Sequence, residues 1–158
     1  LAPIIGAWSL ALIGLFNIGG SFFSGWSGQI YSKPKLLSGI YASRAVVIAL
    51  FIFTPLSGTS VLVFSAAMGI LWLSTVPLTT GLIAQTQGLK FLSTLAGLVF
   101  FSHQVGGFLG AWLGGRLYDI TGNYEAMWIA AILFGLAATI IHLPIKEQPG
   151  KLAQAEMN

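Results

Sequence analysis

Four polar side chains interrupt otherwise apolar stretches of this sequence: Asn17, Arg44, His103 and Gln104. They are the residues with which the chain could do chemistry. His103 and Gln104 are adjacent, and an imidazole beside a carboxamide supplies hydrogen-bond donors and acceptors and can handle a proton. Counted from Phe91, His103 lies about 18 Å along a helix. There it either lines a solute or proton path or is a buried histidine satisfied by its neighbours. Arg44, about 12 Å in from Leu36, either faces a cavity, snorkels to an interface, or holds helix-end carbonyls as part of a gate. Asn17, Ser21, Ser24 and Gly28 fall on one helix face, which either borders an aqueous path or packs a neighbour.

These side chains need elements that can hold them in lipid. The chain has 158 residues, 56% apolar and only 7% charged, against about 25% charged in an ordinary soluble domain. Soluble enzymes and nucleic-acid readers are excluded on that ground. The sequence has no cysteine, hence no disulfide framework and no catalytic thiol. Its four acids, Asp119, Glu125, Glu147 and Glu156, all lie outside the apolar stretches, so no carboxylate pair is available for acid–base work. Neither metal-ligand spacing nor a phosphate-binding loop is present. No cofactor and no enzymatic activity are expected.

About 20 apolar residues are needed to cross a hydrocarbon core of about 30 Å. Five stretches meet that need: 3–23, 36–56, 59–85, 91–115 and 126–145. The reading is an all-α integral membrane protein with a helical bundle over 1–145 and a polar tail over 146–158. Barrel strands would be shorter and would alternate in polarity. Charge supports the count, because five crossings place Lys33, Lys35, Lys90, Lys146 and Lys151 on one side and only Arg116 on the other. Basic residues collect in cytoplasmic loops, so the tail is expected in the cytoplasm and the lipid bilayer is the first partner.

Two features inside the spans concern packing. Gly106, Gly110 and Gly114 recur every four residues, with Gly107 starting a parallel row, a pattern that either lets helix backbones approach closely or marks a hinge that moves during function. Pro77 removes a backbone hydrogen bond and gives its span either a static kink or a bend beside a cavity, and Ser74, Thr75, Thr79 and Thr80 around it are able to satisfy the freed carbonyl.

The stretch "NIGGSFFSGWSGQIYSKPKLLSGIYASRA" resembles the region joining helices eight and nine of major facilitator superfamily transporters. "TVPLTTGLIAQTQGLKFLSTLAGLVFFSHQVGGFLGAWLGGRLYDITGNYEAMW" resembles helices ten to twelve, especially of the monocarboxylate-transporter-like bacterial branch. The family's loop signature is G-x-L-x-D-R-x-G-R-[RK]. Gly25 matches its glycine, Gly28 lies within the motif, and Lys33 and Lys35 match its basic end. Gln29 stands in place of the aspartate and Ile30 in place of the arginine.

The resemblance implies five helices of a six-helix half in a twelve-helix carrier of the plasma (inner) membrane, with a small-molecule solute held between halves. The chain begins at Leu1 within an apolar stretch, so the N-terminal half of the carrier becomes an expected partner. A monocarboxylate carried with protons is one implied activity. Efflux of a drug or metabolite and a non-transporting membrane scaffold are the alternatives.

The charge division generates a test. In the complete protein, Ser57→Cys is expected to react with an impermeant thiol reagent from outside the cell, and Ser32→Cys only after permeabilisation. The reverse pattern would overturn the orientation.

Overall fold

The computed structural model describes residues 2–147, and every regular element among them is a helix. Helix α1 (Pro3–Ile30) opens on Pro3, whose missing N–H costs nothing in the first helical turn. It runs seven residues past the expected end at 23, because "SGWSGQI" contains no strong breaker. Within it, the Ser24 and Ser27 hydroxyls donate back to the carbonyls of Ser21 and Ser24. Gly25, Gly28 and Gln29, expected on a loop, therefore lie on the last turns of α1, and the connection shrinks to residues 31 and 32.

Helix α2 (Lys33–Phe53) takes Lys33 and Lys35 into its first turn and stops just before Thr54 and Pro55. A reciprocal Ser57–Ser60 capping box starts α3 (Gly58–Trp72). After a two-residue break, α4 (Thr75–Gln87) ends at Gly88, whose φ of +80° suits only glycine. Helix α5 (Leu92–Thr121) ends at Gly122 in the left-handed region, and α6 (Glu125–His142) follows.

Among the described residues, five helical stretches are long and apolar enough to cross a membrane, with α3 and α4 counted together as one 30-residue span. The single span expected over 59–85 is thus two helices. The interruption sits at Leu73–Ser74, ahead of Pro77, which is the third residue of α4. The proline acts upstream because its ring crowds, and its nitrogen cannot bond, the carbonyl four residues earlier.

Two helix pairs form the body: α1 against α3, and α2 against α6. Helix α4 touches both pairs. The first pair approaches through glycine. A Cβ at Gly69 would lie 2.8 Å from the Ile13 carbonyl oxygen and 3.0 Å from Phe16 Cβ, and one at Gly20 would overlap the Ile70 carbonyl. In the second pair, the Ser38 hydroxyl donates to the Thr139 carbonyl at 2.9 Å, and Tyr41 stacks on His142 with ring centroids 5.2 Å apart. Leu37, Leu78 and Leu82 form a small buried core where α4 meets α2.

The glycine rows on α5 do not serve close packing within this chain. Gly106, Gly107 and Gly110 have nothing within 4 Å of where a Cβ would stand, and only Gly114 meets a neighbour, the Met127 side chain at 3.6 Å. Periodicity reports that a face is smooth, and the helices of this chain do not cover that face. The close contacts belong instead to Gly20 and Gly69.

At the lysine end, the Lys33 backbone N–H donates to a carboxylate oxygen of Glu147 at 2.8 Å, and the Lys33 ammonium lies 3.8 Å from the same oxygen. The segment after α6 therefore returns to the end where α1 turns into α2. Of the tail expected over 146–158, residues 148–158, Lys151 included, lie outside the described residues.

Packing at Gly20 generates the second test. Gly20→Ala is expected to lower the thermal midpoint of the purified protein, since overpacking costs about 1–3 kcal/mol. Gly19→Ala, where nothing lies within 4 Å, is expected to leave it unchanged or raise it.

Candidate functional site

Within lipid every backbone polar group must find a partner, because water is not there to supply one. The break at Leu73–Ser74 is the place where this chain must meet that demand with side chains. The last carbonyls of α3 have no partner further along their own helix. The Ile70 carbonyl accepts from the Ser74 hydroxyl. The Leu71 carbonyl accepts from Nε of Arg44 at 3.2 Å and also from Nη2. Nη2 reaches the Trp72 carbonyl as well, at 2.5 Å. The Leu73 N–H donates to the Asn17 side-chain oxygen at 3.1 Å, and the Leu73 carbonyl accepts from the Val76 N–H at 3.0 Å, a tightened i+3 turn.

Arg44 and Asn17 come from different helices, α2 and α1, and converge on three consecutive residues, Leu71 to Leu73. Arg44 is deeper than the sequence implied: α2 begins at Lys33, so Arg44 is 11 residues in, about 16 Å, near the middle of the span. It does not face solvent at either end. Its guanidinium carbon lies 5.1 Å from the centre of the Tyr41 ring, close enough for a cation–π contact.

A cavity of about 300 Å³ opens beside the break. Trp72 and Leu73 wall it from one side, Thr75, Thr79 and Thr80 from α4, Tyr41 from α2, and His103 from α5. Apolar walls with a few convergent polar groups are the usual form of a small-molecule site. Gln104 does not line it, since the next residue on a helix points about 100° away. Asn17 faces the break instead of this cavity. The hydroxyls that the sequence placed around Pro77 divide the work: Ser74 satisfies backbone, while the three threonines face the cavity. Sequence reasoning missed Tyr41, and its signal was position, one helical turn before Arg44.

A second cavity of about 440 Å³ lies at the lysine end, lined by Gly25, Gly28, Gln29, Lys33, Pro77, Leu78, Gly81 and Gln85. It gathers most of the motif residues of the first connection around the lower turns of α4. Lys35 is not among them. Among the described residues, the Gln85 side-chain oxygen is buried there without a hydrogen-bond partner.

Known proteins agree with the architecture. Monocarboxylate transporter 13 of Rattus norvegicus is 33% identical over 146 residues, covering 90% of this chain and 34% of that protein. The uncharacterized MFS-type transporter YcxA of Bacillus subtilis is 27% identical over 145 residues, covering 88% of this chain and 36% of that protein. Monocarboxylate transporter 13 of Bos taurus is 30% identical over 146 residues. The chain spans about a third of the length of the curated relatives it matches. No family model matches it, and no solved structure does. Nine-tenths of the chain aligns with transporters, and its helices are long and apolar enough for five crossings, so the chain belongs to the major facilitator superfamily.

Proposed function

We propose that this chain supplies helices eight to twelve of a twelve-helix secondary carrier that moves a small organic solute by alternating access. The other half of the carrier covers the exposed faces of α1 and α5, and the solute lies between the halves near the bilayer midplane. The observation that carries this reading is the cavity beside the break, where Tyr41, Thr75, Thr79, Thr80 and His103 converge at mid-depth on otherwise apolar walls. Within the membrane, such polar groups mark solute and ion pathways.

The chemistry of the cavity favours a solute that crosses together with a proton. Its lining offers hydroxyls and one imidazole but no lysine, arginine or carboxylate. Arg44, the one cation deep within a span, is engaged with backbone carbonyls. A monocarboxylate carried with its proton fits this lining, as does an uncharged amphipathic compound. Two of the relatives are named as monocarboxylate transporters, which supports the former. His103 is the residue assigned to the proton or to the solute's polar group. The lysine-rich side and the tail face the cytoplasm, and the carrier resides in the cell's inner membrane.

His103→Ala provides the test in the complete carrier. Uptake is expected to fall by at least about tenfold, as for a lost charge-assisted hydrogen bond of ~1.5 kcal/mol, and its pH dependence to flatten. Expression and thermal midpoint are expected to stay near the parent's, since membrane hydrogen bonds average only about 0.6 kcal/mol. Normal uptake with a normal pH profile would sink the assignment of His103.

A further inference from the structure

Among the described residues, Tyr41 is the one side chain of α2 that lines the mid-depth cavity. Two groups from outside that cavity flank its ring. The Arg44 guanidinium carbon lies 5.1 Å from the ring centre. The His142 imidazole of α6 stacks on it, with centroids 5.2 Å apart and planes inclined by 30°. Both flanking groups are pinned to backbone. Arg44 donates to the Leu71 and Trp72 carbonyls, and His142 Nδ1 donates to the Ala138 carbonyl, one helical turn back, at 2.7 Å. The phenol ring therefore cannot swing unless an anchored neighbour gives way.

The fixed ring carries an unspent hydroxyl. Among the described residues the Tyr41 hydroxyl makes no hydrogen bond, and it is not one of the sealed, unpartnered polar atoms, so it keeps open surface. Elsewhere in the spans hydroxyls are spent on their own helix: those of Ser9, Ser65, Thr86 and Thr139 donate to the carbonyl four residues back. A tyrosine hydroxyl within a packed interior ordinarily finds a partner as well, and the position of Tyr41 leaves its own for the contents of the cavity. We infer that Tyr41 hydrogen-bonds the polar group of the solute and so sets specificity, and that His142, outside the cavity, is the positioning residue for its ring. The solute contact rests on the carrier reading, whereas the placement of the phenol does not. A phenol donates to a carboxyl or carbonyl oxygen. A solute lacking such an oxygen leaves the donor unpaired among apolar walls that include Val76, Val99 and Phe100, which is how a site rejects an analogue.

The test has two arms, both in the complete protein. In a cysteine-free background, Tyr41→Cys is expected to react with a permanently charged methanethiosulfonate reagent, which stays in water. Val46→Cys, at a position of α2 that is 56% exposed but does not line the cavity, is expected to stay unreactive in lipid. An unreactive Tyr41→Cys would overturn the inference, whether or not anything is carried. The second arm follows uptake of radiolabelled pyruvate. Tyr41→Phe is expected to raise KM about fivefold with kcat near the parent's, as for one lost binding hydrogen bond. His142→Ala is expected to raise KM likewise, and His142→Phe to restore it by keeping a ring against Tyr41. The Tyr41→Phe, His142→Ala double variant is expected to match Tyr41→Phe alone, because the two act as one. A parent-like KM in Tyr41→Phe would overturn the solute contact. A lowered thermal midpoint with an unchanged KM in His142→Ala would make that residue structural and overturn its positioning role. If the complete protein takes up no pyruvate, the monocarboxylate carrier reading fails, and the labelling arm still decides Tyr41.

Discussion

A backbone carbonyl facing hydrocarbon without a donor costs several kcal/mol, and the third span of this protein presents such carbonyls midway through the membrane. The interaction that removes the cost is the guanidinium of Arg44 on Leu71 and Trp72. Much else follows from it. Arginine is suited to the task because its donors sit in a planar fork that reaches two oxygens at once, and the C-terminal end of α3 carries the partial negative charge that a cation prefers. A half-buried charge in mid-span and a broken helix would each be expensive alone. Placed together, each satisfies the other.

The packing around that point sorts the molecule into a held part and a loosely held part. Helices α1 and α3 meet backbone to backbone at Gly20 and Gly69, and α2 and α6 are joined by Ser38–Thr139 and Tyr41–His142. Where α2, α3 and α6 come together, Phe51, Phe64 and Trp128 close the gap, with ring centroids 4.2 to 5.9 Å apart. Helix α5 is different: of its 30 residues only Gly114 is buried. Its smooth glycine face is left for a surface that the other helices of this chain do not provide.

How far this was legible in the sequence depends on the kind of signal. Crossing number came from apolar length, which is a bulk property and survives errors at the boundaries. Helix ends were less legible. Nothing in "SGWSGQI" forbids helix, so α1 continued, and the motif residues Gly25, Gly28 and Gln29 moved from a loop onto its last turns. Pro77 announced a kink, but its position in the chain does not say where the backbone opens, because the ring acts on a carbonyl four residues away. The glycine rows were visible and their partner was not, since a row of small residues describes one surface of a contact that needs two. Of the polar residues, Arg44 and Asn17 were found by type and depth. That both turn to the same break, Arg44 to Leu71 and Trp72 and Asn17 to Leu73, is a matter of tertiary geometry, to which spacing along the chain is blind.

Chain order adds a consequence for how the protein is made. Asn17 and Arg44 both precede the break they satisfy, by 56 and 27 residues respectively to their bonded partners Leu73 and Leu71. Proteins are synthesised from the N-terminus at about 5–20 residues per second, so both side chains leave the ribosome seconds ahead of the backbone they will bind. Neither α3, of 15 residues, nor α4, of 13, is long enough to cross the bilayer by itself. The two must enter together with the break between them. When they do, its donors and acceptors have already been made, and the discontinuity can be matched as it enters the membrane.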